Sequence, residues 1–270
     1  MELKVDNSEV VVRFVPTITT GKLHCGHIIN LFANLFYAQQ NHGKFFIVFD
    51  GLGLYGEQAS LVSHNQSIVR YLLPGHEIIY HNVEESAYHR RVFIRLFGQK
   101  RFDELLNYGE HFYVVLMDFF LGTSIYIRGR DWLTEMVNLV SVEVLSDLRE
   151  EDIPFYFHPL MVQNKFKICK SYGKESLSLD YWLRIRGISR LSLFVLCLFL
   201  FERINANEIE SIVNLDVLAN YHSIFSIDKL CEMSNFEWSE DTLLSIDELV
   251  KRKIKDHEKT YDDLIFVAKS

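Results

Sequence analysis

The segment from Val10 to Asp50 constrains the fold more than any other part of the chain. Val10–Val15 is a β-branched and aromatic run, interrupted only by Arg13, which predicts a buried strand. Apolar residues then recur at helical spacing over Ile28–Gln40, and Gly43–Asp50 is a second apolar run. Strand, helix and strand within about 40 residues form a βαβ unit, whose strands lie parallel in one sheet. The sequence therefore predicts an α/β fold.

Residues that could carry chemistry collect where these strands end. His24 and His27 lie between the first predicted strand and the body of the predicted helix, and Asp50 is the last residue of the second predicted strand. The functional end of a parallel sheet is its carboxyl edge. A helix N-terminus at that edge has unpaired N–H groups and partial positive charge, which suit phosphate oxygens. The two histidines, with Gly26 between them to let a ligand approach the backbone, therefore predict a phosphate site.

Apolar runs after the βαβ unit extend the predicted sheet. They predict three more strands and one helix, with strands over His111–Gly122, Ser124–Asp131 and Ile153–Val162 and a helix over Trp132–Leu148. After Ser176 the sequence shows helical patterns and no convincing strand. We therefore expect a Rossmann-like parallel sheet over residues 1–172 and a small all-α domain over residues 173–270.

Composition limits the compartment and the partners. The formal charge is −8, so the chain as a whole does not attract DNA, and an RNA would have to dock on a local basic patch. The apolar stretch Leu191–Phe201 is too short to span a membrane and predicts a buried helix. The four cysteines form no C-x-x-C pair and the N-terminus lacks an apolar signal core. These features predict a cytoplasmic protein without a metal site or a membrane partner.

A second candidate segment is rich in lysine. Lys165, Lys167, Lys170 and Lys174 lie in a loop that follows the strand predicted over Ile153–Val162. Ammonium groups on a mobile loop can neutralise the charge of a phosphate transition state if the loop folds over the phosphate site. These lysines are therefore candidate phosphate-binding residues.

Both segments resemble signatures of one enzyme class. His24-Cys25-Gly26-His27 resembles the HIGH signature of class I aminoacyl-tRNA synthetases, and Lys167–Ser171 ("KICKS") resembles their KMSKS loop. The flanking stretches "RFxP…TGxLHxGH", "GKFFIVFD", "IYIRGRD" and "HPLM" appear in the order seen in glutamyl-tRNA synthetases. The chain is thus similar to the glutamyl-tRNA and glutamyl-queuosine tRNA synthetase catalytic core over about residues 10–235.

The resemblance implies a reaction and its phosphate-binding residues. The expected activity is that of an ATP-dependent ligase, which activates an amino acid as its adenylate, with Mg²⁺ accompanying the nucleotide. His24, Gly26 and His27 would bind ATP and steady the transition state. Lys170, aided by Lys167, would approach the α-phosphate.

The resemblance also implies residues that bind the amino acid. Asp50 would hold the substrate ammonium, and Arg13 and Arg128 would bind carboxylate groups through their planar guanidinium forks. Thr17 belongs to the same expected site. Glu110 stands where the family has a tyrosine that contacts the amino acid, and its charge would repel a glutamate side chain. The resemblance thus implies glutamate as the substrate, whereas Glu110 favours a related amino acid without that negative charge.

The chain departs from the family mainly in size. Only a short helical linker is expected near residues 91–108, where the family inserts a domain for the tRNA acceptor end, and too few residues follow Asp256 for an anticodon-binding domain. The acceptor could be a tRNA, a small molecule or a carrier protein. Two alternatives stay open: an adenylate-forming amide ligase, and an inactive paralogue that binds tRNA or a synthetase.

Overall fold

A computed structural model describes residues 9–16, 21–50, 56–81, 83–106, 111–131, 136–150, 152–168, 177–202, 204, 208–221 and 224–266. The strands are β1 (Val11–Phe14), β2 (Lys44–Asp50), β3 (Ile78–His81), β4 (Tyr126–Gly129), β5 (Phe155–His158), β6 (Met161–Gln163), β7 (Phe166–Lys167) and β8 (Phe236–Glu237). The helices are α1 (Gly26–Gln40), α2 (Gly56–Leu72), α3 (Val83–Phe97), α4 (Gln99–Leu106), α5 (His111–Leu121), α6 (Met136–Arg149), α7 (Arg190–Glu202), α8 (Ile209–Ile212), α9 (Leu215–Ala219), α10 (Ile227–Glu232), α11 (Glu240–Lys253) and α12 (His257–Phe266). A π-helical turn covers Tyr181–Ile185.

Parallel pairing confirms the predicted βαβ unit. Strands β1, β2 and β3 pair in parallel, and so do β4 and β5. The two sheets meet at Val11 and Ser124: the Ser124 N–H donates to the Val11 carbonyl at 3.0 Å, and the Val11 N–H donates to Ser124 Oγ at 2.8 Å. The spatial order is therefore β3-β2-β1-β4-β5, as in a Rossmann fold, whose ligand crevice lies between the carboxyl ends of β1 and β4.

Helix α1 fixes the main core beneath this crevice. Phe36 of α1 packs against Phe194 of α7, with ring centroids 5.1 Å apart, and against Tyr221 at 4.6 Å. Most side chains of α7 are buried, which confirms the buried helix predicted over Leu191–Phe201. No helix among the described residues is long and apolar enough to cross a membrane.

The strand predicted over His111–Gly122 is wrong, because residues His111–Leu121 form helix α5. An apolar run of this length suits either a buried strand or a helix buried on every side, and alternation does not distinguish them. Helix α5 packs between α3 and α6, so both of its flanks are covered. Its one acidic residue, Asp118, is fully buried.

Two other boundaries differ from the prediction. The strand predicted over Ile153–Val162 is two strands, β5 and β6, separated at Pro159. The expectation of no strand after Ser176 is wrong at β8, whose two residues pair in parallel with β6. A two-residue strand leaves no periodic signal, and β8 shows that the C-terminal part is not entirely helical. The predicted boundary at residues 172–173 lies outside the described residues and stays a prediction.

Helices α3, α4 and α5 share a second, smaller core. Phe93 and Phe102 are fully buried there, and Phe97 packs edge-on against Phe119 with centroids 5.4 Å apart. Within the helical linker predicted near residues 91–108, residues 91–106 form the end of α3 and the whole of α4. That this segment is a reduced insertion stays a prediction.

Candidate functional site

Two imidazoles lie side by side at the start of α1. The ring centroids of His24 and His27 are 3.9 Å apart. His24 Nδ1 accepts a hydrogen bond from the Gly26 N–H at 3.1 Å, and His27 Nδ1 accepts from the His24 N–H at 3.0 Å. The backbone of the first helical turn therefore sets the positions of both rings.

The contacts of each Nδ1 bear on the tautomer of the neutral ring. His24 Nδ1 accepts from a backbone N–H, so it carries a lone pair and the proton of the neutral ring lies on Nε2. His27 Nδ1 lies 3.0 Å from the His24 amide nitrogen and 3.3 Å from the His24 carbonyl oxygen, so its contacts fit either tautomer. Both rings are partly exposed, and His24 can present an Nε2–H donor to an anion at the helix N-terminus.

The glycine between the histidines makes room for a ring and not only for a ligand. A Cβ on Gly26 would lie 3.0 Å from the His24 ring and 3.6 Å from the Ile168 carbonyl oxygen. The first distance is short, so a side chain here would press on the His24 imidazole, whereas the second is an ordinary van der Waals contact. Gly26 thus lets the His24 ring approach the helix.

The chain on each side of residues 169–176 is anchored beside this helix start. Ile168 lies next to Gly26, as the Cβ distance shows. On the other side, the Cys25 N–H donates to the Leu177 carbonyl at 2.9 Å, and the Leu179 N–H donates to the Leu23 carbonyl at 3.0 Å. The described residues on both sides of this span therefore meet the histidine-bearing turn. Lys170 lies outside the described residues.

Lys167, at the end of β7, is held by an acidic side chain. Its ammonium forms an ion pair with Asp131, and both side chains are partly exposed. Arg130, next to Asp131, donates to the Cys231 carbonyl in α10. The two charged residues that follow Gly129 thus join β4 to the lysine-rich segment and to the C-terminal helices.

Arg13 of β1 is locked into a buried network. Its Nε and Nη2 donate to the two carboxylate oxygens of Asp118, which also accept from Tyr126 Oη and, at 3.0 Å, from Thr123 Oγ1. Burial would lower the pKa of Arg13, but Asp118 and Tyr126 together raise it. Arg13 Nη1 is buried and has no hydrogen-bond partner among the described residues.

Arg128 of β4 lies close enough to this network for the charge of Arg13 to affect its pKa. It is 4 % exposed, and its pKa is lowered to about 9, first by burial and then by the positive charge of Arg13. Arg128 stays charged at neutral pH, since a pKa near 9 lies well above it. The predicted pair Arg13 and Arg128 is therefore brought together at the edge where β1 and β4 separate.

A polar link joins α1 to the same edge. Asn30 Nδ2 lies 3.2 Å from the Ile127 carbonyl, to which it donates, and 3.0 Å from His158 Nε2. His158 Nδ1 lies 2.8 Å from the Pro159 carbonyl, so the Nδ1 proton is the one donated and Nε2 accepts. Burial lowers the pKa of His158 to about 4, so this ring is neutral at pH 7.

The structure thus describes some of the predicted site residues and not others. It brings His24, Gly26 and His27 beside Ile168, and Arg13 beside Arg128, while Lys167 contacts Asp131. Asp50 is the last residue of β2. Thr17 and Glu110, like Lys170, lie outside the described residues.

Sequence reasoning missed four residues that shape the site: Asn30, Asp118, Tyr126 and His158. A lone acid inside an apolar run, as at Asp118, is a usable signal because burial of a charge requires a partner. Asn30 lies one turn after His27, and nothing in the sequence distinguished it from other polar residues of the helix. Tyr126 and His158 carried no distinguishing pattern.

Comparisons with known proteins show what this architecture resembles. No family sequence model matches the chain, and no curated protein matches it either. A glutamate-tRNA synthetase from Elizabethkingia anophelis superposes with a TM-score of 0.58 at 15% identity, over 88% of this chain and 70% of that one. A glutamate tRNA ligase from Elizabethkingia meningosepticum, solved with its amino acid, gives 0.56 at 15% identity, over 97% and 80%. A tyrosyl-tRNA synthetase from Archaeoglobus fulgidus, complexed with L-tyrosine, gives 0.48 at 13% identity, over 94% and 90%. At these identities the likeness shows the fold, which is helix-rich α/β.

Proposed function

We propose that this chain, which has the fold of glutamate-tRNA synthetase structures, activates an amino acid with ATP and transfers it to an acceptor, with a tRNA as the first candidate. One observation carries the proposal: Ile168 and Leu177, on the two sides of residues 169–176, both lie against the turn that holds His24 and His27. Two segments that are distant in sequence thereby meet at the start of α1. One carries the histidines and the other carries the lysines, and both kinds of side chain can bind phosphate.

The phosphate-binding groups act by position and charge. The His24 and His27 rings donate to phosphate oxygens, and the positive end of the α1 dipole attracts them. The backbone N–H groups of Gly26, His27 and Ile28 already donate within the turn, so they are not the donors proposed here. Lys170 follows Ile168 by two residues, which covalent geometry limits to about 7 Å between Cα atoms. Its ammonium can therefore reach a phosphate held at the helix start and neutralise charge in the transition state.

The amino acid occupies the crevice between β1 and β4. Arg128 and the Nη1 group of Arg13 offer guanidinium donors to carboxylate, while Asp118 fixes the rest of the Arg13 side chain. Asp50, at the end of β2, and Thr17 and Glu110 complete the proposed site. The substrate is glutamate or a related amino acid, and Glu110 disfavours an anionic side chain beside it.

The reaction needs little proton transfer. A substrate carboxylate oxygen attacks the α-phosphorus, the bond from that phosphorus to the bridging oxygen breaks, and pyrophosphate leaves with the bonding electron pair. Among the described residues no group of three His, Cys, Asp or Glu side chains is placed to hold a metal. Mg²⁺ prefers phosphate oxygens and water to protein cages, so it would arrive with the nucleotide and supply charge neutralisation.

Amino-acid-dependent exchange of labelled pyrophosphate into ATP tests the proposal. The assay uses each of the twenty amino acids, with and without total tRNA. We expect exchange with at least one amino acid. His27→Ala and Lys170→Ala should each lower it about a hundredfold, as loss of one transition-state donor does. Lys255→Ala, which removes an exposed lysine of the C-terminal region, is the matched control and should behave as wild type.

Two outcomes would contradict the proposal. Folded protein that exchanges with no amino acid, and shows no ATP binding by calorimetry, would favour an inactive binding paralogue. Exchange followed by transfer to amines or a carrier protein, seen by mass spectrometry with no charged tRNA, would keep activation and replace the acceptor with that of an amide ligase.

A further inference from the structure

A polar residue interrupts the buried stripe of helix α2. Val62, Asn65, Val69 and Leu72 follow one another at alternating spacings of three and four residues, so they lie on one helical face. The three apolar members belong to the main core, and Asn65 is fully buried as well. Burial of an amide is unfavourable unless its polar atoms are hydrogen-bonded. The partners of Asn65 therefore indicate what an asparagine does at this position.

Both polar atoms of the Asn65 side chain bond the backbone of one loop. Its Oδ1 accepts from the Leu23 N–H at 3.0 Å, and its Nδ2 donates to the Gly21 carbonyl at 3.2 Å. Leu23 is buried and directly precedes His24. One side chain of α2 thus fixes two backbone groups of the loop that leads into the histidine-bearing turn.

The carbonyl side of Leu23 is held by the chain that follows residues 169–176. The Leu23 carbonyl accepts from the Leu179 N–H at 3.0 Å, and the Cys25 N–H donates to the Leu177 carbonyl at 2.9 Å. Leu23 is therefore bonded on both sides, through its N–H to α2 and through its carbonyl to this returning segment. Loss of the bond to α2 would let the peptide before Leu23 rotate about the bonds that remain.

The neighbours of Asn65 anchor α2 to that same returning segment. Ser67 Oγ accepts from Arg184 Nη2 at 2.8 Å, and His64 Nε2 lies 3.8 Å from Asp180 Oδ2. Helix α2 thus contacts both the loop before the histidine-bearing turn and the chain after the lysine-rich segment. With its apolar side in the main core, it is a fixed support for the Asn65 side chain.

We propose that Asn65 is a positioning residue, which holds Leu23 so that the His24 ring presents its Nε2–H to a phosphate at the start of α1. This inference deepens the proposed function and rests on it. Packing alone would be served by an apolar residue, as at the other positions of the stripe. The bonds to Gly21 and Leu23 are what an apolar residue cannot supply, and they lead directly to His24.

Two variants and one control separate positioning from packing. Asn65→Leu keeps a side chain of similar shape in the stripe and removes both hydrogen bonds. Asn65→Ala also removes them and leaves space for water, so it serves if the leucine variant does not fold. The matched control is Tyr261→Phe, because the Tyr261 hydroxyl is buried and donates to the carbonyl of Leu72, the last residue of α2. Thermal melting confirms that each variant is folded.

The ¹⁵N chemical shifts of the His24 ring report its hydrogen bonding without an activity assay. At about pH 8.5, two units above the ordinary histidine pKa, a ring of ordinary pKa is neutral, and the shifts distinguish a proton on Nε2 from one on Nδ1. His24→Gln assigns the signals. We expect the Nε2-protonated tautomer in wild type and in Tyr261→Phe, where His24 Nδ1 accepts from the Gly26 N–H, and a mixture of tautomers in both Asn65 variants.

Pyrophosphate exchange measures the consequence for the reaction. Asn65→Leu should lower kcat about tenfold, as displacement of a transition-state donor does, and should change the KM for the amino acid by less than about twofold. In a His24→Ala background, Asn65→Leu should slow exchange by less than about twofold, because groups that act as a unit are not additive. Tyr261→Phe should exchange as wild type.

The inference would be overturned by a His24 ring that keeps its tautomer in the folded Asn65 variants, by wild-type exchange in Asn65→Leu, or by an equal loss of exchange in Tyr261→Phe. A full tenfold loss in the His24→Ala background would also overturn it. A tautomer change in a protein whose wild type exchanges with no amino acid would contradict the proposed function and leave the link from Asn65 to His24 standing. Exchange by wild type, with ring and rate unchanged in the Asn65 variants, would contradict this inference alone.

Discussion

Asp118 is the residue whose removal should most disturb the fold around the site. Its carboxylate is fully buried and accepts two bonds from Arg13, one from Tyr126 and one from Thr123. Asp118→Ala would leave a buried guanidinium with no carboxylate among its described contacts. Breaking a buried pair from one side costs about 3–5 kcal/mol. Two hydroxyl donors lose their acceptor as well, at about 1 kcal/mol each after relaxation.

We therefore expect Asp118→Ala to lower the free energy of unfolding by about 5 kcal/mol, a large share of the roughly 5–15 kcal/mol typical of folded proteins. Urea titration followed by tryptophan fluorescence measures it. Asp263→Ala, which removes an exposed acid, is the control and should change stability by less than about 0.5 kcal/mol.

A double variant separates lost charge compensation from lost packing. If the uncompensated guanidinium is the main cost, Arg13→Met/Asp118→Leu should be more stable than Asp118→Ala, because no buried charge remains unpaired. The reasoning would be refuted if Asp118→Ala lowered the free energy of unfolding by less than about 1 kcal/mol. It would also be refuted if the effects of Arg13→Met and Asp118→Leu, each measured singly, summed to the effect of the double variant.

Two further predictions concern stability. The folded pKa of His158, about 4, lies below the unfolded value of about 6.5, so the unfolded state binds the proton first. Stability should then fall by about 3 kcal/mol as pH drops from 6.5 to 4. His158→Gln should have a shallower pH dependence in urea titrations over that range, and an equal slope would contradict this assignment. Lys165 has a φ of 67° in the two-residue turn between β6 and β7, a left-handed conformation that glycine adopts without strain. Lys165→Gly should therefore raise the unfolding free energy by about 1 kcal/mol and Lys165→Ala should not, and a destabilised Lys165→Gly would show that the turn is not strained.

The fold near the proposed phosphate site could be predicted because its signals are local. The strand, helix and strand over Val10–Asp50 follow from hydrophobic periodicity, and the chain order of the motifs placed His24 and His27 at the carboxyl edge. The predicted meeting of the two motifs depended on the resemblance, and the positions of Ile168 and Leu177 agree with it.

The remaining errors came from contacts between residues distant in sequence. Helix α5 was predicted as a strand because its apolar run is covered on both flanks by α3 and α6, which no local pattern reveals. The role of Asp118 depends on Arg13, 105 positions away, and that of His158 on Asn30. Strand β8 forms by pairing with the edge of β6, which is distant in sequence.

A double-variant cycle in the pyrophosphate exchange assay tests most directly whether the two motifs act on one triphosphate. The cycle compares wild type, His27→Ala, Lys170→Ala and the double variant with the amino acid that supports exchange. If both side chains stabilise the same transition state, the double variant should be little slower than the slower single variant, because such effects are not additive. Rate losses that multiply, or a single variant that exchanges as fast as wild type, would contradict the account.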